Sequence, residues 1–101
     1  MHEIELSRKR MARYRILKIL DASDPTPCGE GLIRMTLPDC DLPLSPNEIR
    51  KEIQYLGDKG YVKIEKPEGE RHHWLVRILP KGTDYLEDQK ISDPGIARPE
   101  W

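Results

Sequence analysis

The chain has 101 residues, of which 37% are hydrophobic and 35% are charged, and it contains no phenylalanine. This length and composition predict one small domain with a thin core and no membrane-spanning segment, since no apolar run approaches the roughly 20 residues that cross a bilayer. The net charge of −1 argues against a general polyanion binder, because nonspecific DNA affinity depends on lysine and arginine meeting phosphates, and a start without signal-peptide features favours a cytoplasmic protein.

The first predicted helix carries the most concentrated basic charge of the chain. Residues 1–7 show no clear pattern, so we predict a loose arm there, followed by the domain itself over residues 8–89. From about Ser7 to Ala22, apolar residues recur on one broad arc; they are Ala12, Ile16, Leu17, Ile19 and Leu20. The stretch from Arg8 to Lys18 holds six basic residues and no acidic one, which gives this helix a basic back. Two prolines soon after it prevent its continuation.

A second, shorter helix is predicted from about Glu30 to Leu37. It should bury Leu32, Ile33 and either Thr36 or Leu37. The proline- and aspartate-rich residues 38–43 that follow favour a turn.

The third predicted helix has the clearest start in the sequence. Ser45 and Glu48 are spaced as a capping box, and Pro46 occupies the first helical position. Gly60 is placed to end the helix in the left-handed conformation that glycine adopts at low cost. The three helices therefore appear in the order of a helix-turn-helix.

The outward face of the third helix has the chemistry of a base reader. Ile49, Ile53 and Leu56 share one stripe and should be buried. The residues that we predict to contact base edges lie away from that stripe; they are Asn47, Arg50, Lys51 and Gln54. Acidic residues of the same helix offset its basic charge, so an ordinary solvated face remains the alternative.

The remaining sequence predicts a β-hairpin and one more helix. Val62 and Ile64 alternate with charged residues, residues 66–69 suit a type I turn, and the return strand should run from His72 to Leu79 with Trp74 facing inward. A short helix should follow over residues 80–89, and residues 90–101 should form an irregular, proline-containing tail. The predicted fold class is mostly α with a small β-hairpin, a winged helix-turn-helix with three helices, a two-stranded wing and a short C-terminal helix.

Catalytic, cofactor and metal chemistry find little support in the sequence. There is no glycine-rich phosphate loop and no recognisable nucleophile and base, so we predict a protein that is not an enzyme and binds no cofactor. The candidate metal ligands are Cys28, Cys40, His72 and His73. Neighbouring histidines on a strand point to opposite faces, which disfavours a shared ion, and two isolated cysteines are expected to be reduced and structural.

Several short motifs resemble one family of small winged-helix proteins. They are Arg15-Ile16-Leu17-Lys18-Ile19-Leu20, Leu44-Ser45-Pro46-Asn47-Glu48-Ile49-Arg50, Tyr55-Leu56-Gly57-Asp58-Lys59-Gly60-Tyr61-Val62, Ile78-Leu79-Pro80-Lys81-Gly82-Thr83-Asp84 and Pro94-Gly95-Ile96-Ala97-Arg98-Pro99. From about Ala12 to Pro99 the chain resembles proteins of Mu-like prophages that are often labelled ArsR-like transcriptional regulators. The resemblance implies a winged-helix fold and a phage origin. This chain departs from the family pattern at Leu79, where threonine usually caps the last helix, and in a longer, more basic start. It also lacks the cysteine pair of metal-sensing ArsR proteins.

The sequence favours a cytoplasmic regulator that binds double-stranded DNA as a homodimer. Beside the four base readers, we predict phosphate contacts from basic residues near the amino end and in the wing; these are Arg8, Lys9, Arg15, Lys66, Arg71 and His72. The alternative is a winged-helix module that binds a phage or host protein and no DNA. The nearly neutral third helix and the thin core both favour that alternative.

Overall fold

The computed structural model describes residues 2–40, 42–68 and 73–99. Its elements are α1 (His2–Ser23), β1 (Cys28–Gly29), α2 (Glu30–Thr36), a 3-10 turn (Leu37–Cys40), α3 (Pro46–Asp58), β2 (Val62–Glu65), β3 (Leu75–Ile78) and α4 (Pro80–Glu87). This order confirms the predicted winged helix-turn-helix. The sheet has three strands instead of the two predicted for the wing alone.

Helix α1 begins at His2 and not at Ser7, so residues 2–7 of the predicted loose arm are helical, and residue 1 lies outside the described residues. No glycine or proline interrupts residues 2–23, and Glu3 and Glu5 place negative charge in the first turn, where the helix dipole favours it. The first buried residue of the helix is Ala12. The opening turns of α1 therefore project beyond the part of the helix that packs on the core.

Helix α2 and the turn after it bury two of the residues predicted for this segment, but not Leu32. Leu32 was expected in the core but is 51% exposed, whereas Ile33 and Leu37 are fully buried. Glu30 precedes these two residues at helical spacing and is buried with them at 1% exposure. A carboxylate thus occupies a core-facing position that a hydrophobic pattern would not assign to it.

The third strand is the two-residue β1, which was not predicted. The strand order is β1-β3-β2, and both pairs are antiparallel, with Cys28 opposite Val76 and Val62 opposite Ile78. Strand β3 is shorter than the predicted return strand from His72 to Leu79. Residues 69–72 of the predicted turn and strand lie outside the described residues.

The core is built from the predicted face of α3 and the inner faces of α1 and the sheet. The capping box at Ser45 and Glu48 is present, and Gly60 follows the helix with φ of 84°. Seven of the residues that we expected to pack together are buried; they are Ile16, Leu20, Ile49, Ile53, Leu56, Val62 and Ile78. Trp74 was expected among them but is half-buried, since it precedes β3 and its ring packs beside the charged ends of Arg50 and Lys66.

Residues 88–99 contain no helix or strand, yet they are fastened to the domain. Asp93 is buried, accepts a hydrogen bond of 2.5 Å from the Tyr61 hydroxyl and forms an ion pair of 3.1 Å with Lys59. The carbonyl of Gly95 accepts a hydrogen bond of 2.9 Å from Arg13 Nη1. Burial and the Asp93 hydrogen bond raise the pKa of Tyr61. These contacts hold the tail against α1 and the end of α3.

Candidate nucleic-acid interface

Three of the four predicted base readers share one accessible stripe on α3. Asn47, Lys51 and Gln54 follow the i, i+4, i+7 spacing of a helix face, and the first two are exposed. No ion pair engages Lys51 within the described residues. The stripe carries one ammonium and two side-chain amides, the donor and acceptor types that read guanine and adenine, and those of Lys51 and Asn47 are exposed to the solvent.

Gln54 connects this stripe to the wing. Its Nε2 donates a hydrogen bond of 3.0 Å to Asp58 Oδ1, and its Oε1 accepts one of 2.7 Å from Lys66 Nζ. Lys66 follows β2, and its ammonium also lies 4.6 Å from the centre of the Trp74 ring. The structure therefore brings one predicted wing phosphate contact next to a predicted base reader.

The fourth predicted base reader, Arg50, is paired with the buried Glu30, although 39% of its side chain stays exposed. Arg50 Nε and Nη2 donate to the two carboxylate oxygens of Glu30 over 2.8 and 2.5 Å. The guanidinium lies over the Trp74 ring, 4.7 Å from its centre. The Trp74 amide donates to Glu30 over 2.9 Å, and His73 Nδ1 lies 3.5 Å from the same carboxylate. We call this group, formed by Glu30, Arg50, His73 and Trp74, the Glu30 clamp.

Within this clamp, Glu30 and Arg50 stay ionised through the physiological range. The hydrogen bonds from Arg50 lower the pKa of Glu30 to about 2, against the opposing effect of burial. The same interaction raises the pKa of Arg50. Because the carboxylate of Glu30 in α2 accepts hydrogen bonds from Arg50 in α3 and from the Trp74 amide just before β3, it joins α3 to the segment that returns from the wing. Contact between Arg50 and a base remains a prediction. It would require the guanidinium to leave the Glu30 carboxylate, or to bind that carboxylate and the base at the same time.

The basic run of α1 divides between two sides of the molecule. Hydrogen bonds from Ser45 lower the pKa of Glu48, and the charges of Lys51 and Lys9 add to that effect, so Lys9 lies toward the start of α3. Arg13 also faces α3, but it binds the buried Glu52 over 2.7 Å. Arg13 therefore stabilises the packing of α1 on α3.

The other part of the basic run faces α4 and the tail. Arg15 and Lys18 line a hollow together with Leu86 and Arg98. The predicted phosphate contact Arg15 is thus on a different side of α1 from Lys9. Arg8 is exposed, and Arg71 and His72 lie outside the described residues.

Sequence reasoning missed Glu30, the acidic residue on which the geometry of the α3 and wing junction depends. Its spacing to Ile33 and Leu37 is the one signal that could have placed it inward.

Within residues 2–40, 42–68 and 73–99, no three histidine, cysteine or acidic side chains gather as metal ligands. No helix in that part of the chain is long and apolar enough to cross a membrane.

A solved structure described as a PadR-like transcription factor from Bacteroides fragilis has a similar fold. The two chains are 17% identical, the TM-score is 0.68, and the match covers 89% of this chain and 86% of that one. No protein-family model matches the chain, and no curated protein matches it significantly. At this identity the likeness shows the winged-helix fold.

Proposed function

We propose that this chain is a DNA-binding winged-helix transcriptional regulator acting in the bacterial cytoplasm, with α3 as its recognition helix. The observation that carries the proposal is the accessible stripe of Asn47, Lys51 and Gln54, which is joined directly to Lys66 of the wing. The similar fold of a protein described as a transcription factor supports it. A prophage origin is part of the proposal and is supported by the motif resemblance, above all by the tail from Pro94 to Pro99.

In the proposed complex, α3 enters the major groove and its outward stripe contacts base edges. Lys51 donates to guanine, while the amides of Asn47 and Gln54 pair with adenine. Glu30 keeps the Arg50 guanidinium away from the bases, and the Glu30 clamp keeps the wing at a fixed angle to α3. Phosphates are then bound from both sides of α3, by Lys66 in the wing and by Lys9 on α1. Arg71, His72 and Arg8 are further proposed phosphate contacts.

A protein-binding module without DNA binding is the second candidate. Helix α3 carries Glu48, Glu52 and Asp58, and Arg13 and Arg50 are already paired with carboxylates. The positive charge available to phosphates is therefore smaller than the sequence suggested. Such a surface suits a protein partner as well as DNA, and measurement of DNA affinity separates the two functions.

Alanine substitutions should divide the DNA-binding residues into two classes. Lys51→Ala and Gln54→Ala are expected to cost about 1–3 kcal/mol of binding free energy on the preferred sequence and little on random DNA, because they remove base contacts. Lys9→Ala and Lys66→Ala should weaken binding to both DNAs equally and flatten the salt dependence. A dimer that neutralises roughly six phosphates should show a log–log salt slope of about −5. Fluorescence anisotropy titrations of both DNAs, repeated over a series of salt concentrations, measure the binding free energies and the salt slope.

Lys90→Ala provides the matched control, since Lys90 is exposed after α4 and belongs to neither class. Its affinity and salt slope should equal those of the intact chain. Absence of any shift of genomic DNA fragments at low salt and micromolar protein would exclude the regulator. The protein-binding module would then be the better account of the α3 surface.

A further inference from the structure

The side-chain amide of Gln54 is held in one orientation by its two hydrogen-bond partners. Its Nε2 donates to Asp58 Oδ1 over 3.0 Å, and its Oε1 accepts from Lys66 Nζ over 2.7 Å. A carboxylate can only accept hydrogen bonds and an ammonium can only donate them. Turning the amide over would therefore break both contacts, and the orientation of this predicted base reader is set before any base is bound.

Each polar atom of Gln54 keeps the capacity for one more hydrogen bond. An amide oxygen has two lone pairs and an amide nitrogen has two N–H groups, and one of each is in use. Within the described residues, no ion pair joins Asp58 to Lys66. Two partners side by side on one edge of an amide would lie close enough to pair with each other, so these two approach Gln54 from different directions. One acceptor and one donor remain, the combination that adenine N6 and N7 require.

The two partners differ in how firmly they are tied to Gln54. Asp58 lies four residues later on the same helix, so the backbone of α3 sets the spacing of the two side chains. Lys66 is exposed after β2 and reaches Gln54 with a flexible stem that carries three N–H donors. Asp58 can therefore keep its bond to Gln54 while Lys66 turns to a phosphate.

We infer that Asp58 is a positioning residue that restricts Gln54 to adenine, an inference that rests on the proposed function of α3. Guanine presents two acceptors, O6 and N7, in the major groove. A glutamine that turns freely can aim both N–H groups of its amide at them, but the bond to Asp58 occupies one of those groups. Asp58 therefore disfavours guanine at the base pair that Gln54 contacts. This role gives a reason for a carboxylate on a helix that binds phosphate-rich DNA.

Two substitutions at the same position separate orientation from charge. Asp58→Asn removes the charge but keeps an oxygen that accepts from Gln54, whereas Asp58→Ala removes both. Each variant should bind random DNA more tightly than the intact chain, because a negative charge near the phosphates is lost. At one position, the intact chain and Asp58→Asn should prefer A·T over G·C by about tenfold or more, and Asp58→Ala by roughly threefold or less.

Selection from randomised duplexes identifies that position, as the A·T preference that Gln54→Ala abolishes. Fluorescence anisotropy on the selected duplex and on its G·C substitute then gives the ratio of affinities for each variant. Lys66→Ala should weaken binding to both duplexes and leave their ratio unchanged, since Asp58 still holds the amide. The ratio therefore distinguishes a positioning residue from a phosphate contact.

The orientation of Gln54 can also be measured without DNA. The chain has two glutamines and one asparagine, so few side-chain amides appear in its nitrogen-15 NMR spectrum. Gln89 is exposed, and in the described part of the chain only its backbone carbonyl is hydrogen-bonded, so its side chain is an internal reference. The Gln54 amide should show a higher heteronuclear NOE than the Gln89 amide. Asp58→Ala should lower it toward the Gln89 value, and Asp58→Asn should not.

The outcomes separate this inference from the proposed function. An A·T preference that persists in Asp58→Ala, or is lost equally in Asp58→Asn, would overturn the inference and leave the DNA-binding regulator intact. Equal mobility of the Gln54 and Gln89 amides in the intact chain would do the same. Absence of DNA binding by the intact chain would overturn both.

Discussion

Glu30→Gln is expected to lower the unfolding free energy by about 1.5–3 kcal/mol at neutral pH, because it removes the charge-assisted hydrogen bonds that join Glu30 to the Arg50 guanidinium. Glu30 is 1% exposed and accepts hydrogen bonds from Arg50 and from the Trp74 amide. A glutamine of the same shape can still accept from the amide. It cannot bind the guanidinium through both of its terminal atoms, since one of them is now a donor.

The same residue predicts how stability depends on acid. The pKa of Glu30 falls from 4.5 to about 2 on folding, so the carboxylate stabilises the folded state fully above pH 4.5. This contribution is lost as the pH falls from 4.5 through 2, and it amounts to about 3 kcal/mol. Urea denaturation of the intact chain and of Glu30→Gln, from pH 7 down to pH 2, should show the stability difference shrinking across that interval.

Glu87→Gln is the control for this comparison. Glu87 is exposed on α4, and its substitution should change stability by less than about 0.5 kcal/mol at any pH in the series. Because Glu48 and Asp93 also have lowered pKa values, both proteins will keep some acid sensitivity, and the informative quantity is the difference between them. Equal stability of Glu30→Gln and the intact chain at pH 7 would show that the Glu30 clamp does not stabilise the fold.

Local signals in the sequence were sufficient to predict most of the helices and the wing. The capping box at Ser45, the left-handed Gly60 and the alternation of Val62 and Ile64 each depend on neighbours a few residues away. The core stripe of α3 follows from helical periodicity alone. These features were predicted because the physical cause and its effect lie within the same short stretch of chain.

Two of the features that were missed, strand β1 and the pairing of Arg50, depend on residues far apart in the sequence. Strand β1 has two residues and exists because Cys28 and Gly29 pair with Val76 and Leu75. The pairing of Arg50 depends on Glu30, 20 residues earlier, and on the ring of Trp74. A pattern search finds Arg50 on the polar side of α3 and reads it as a base contact, since nothing near it in sequence reveals the carboxylate. The base-reading stripe and the phosphate contacts remain predictions.

Gly82→Ala is expected to destabilise the fold by about 1–3 kcal/mol, because there is no room for one more methyl group at this position. Gly82 lies in α4, and a Cβ placed on it would be 2.7 Å from Ile78 Cγ1 and 2.8 Å from the carbonyl oxygen of Tyr61. That carbonyl already accepts the backbone hydrogen bond from Leu79 over 2.9 Å, so it cannot move aside freely. The start of α4 would have to shift away from the sheet.

Gly31→Ala makes the identical chemical change at a helical position with the opposite expectation. A Cβ on Gly31 would meet no atom within 4 Å in the described part of the chain. Alanine there should stabilise the protein by about 0.4–1 kcal/mol, since it lowers the conformational entropy of the unfolded chain and favours helix α2. Urea denaturation of the two variants should therefore give midpoints on either side of that of the intact chain. If Gly82→Ala were also stabilising, α4 would not pack against β3 and Tyr61 as closely as these distances require.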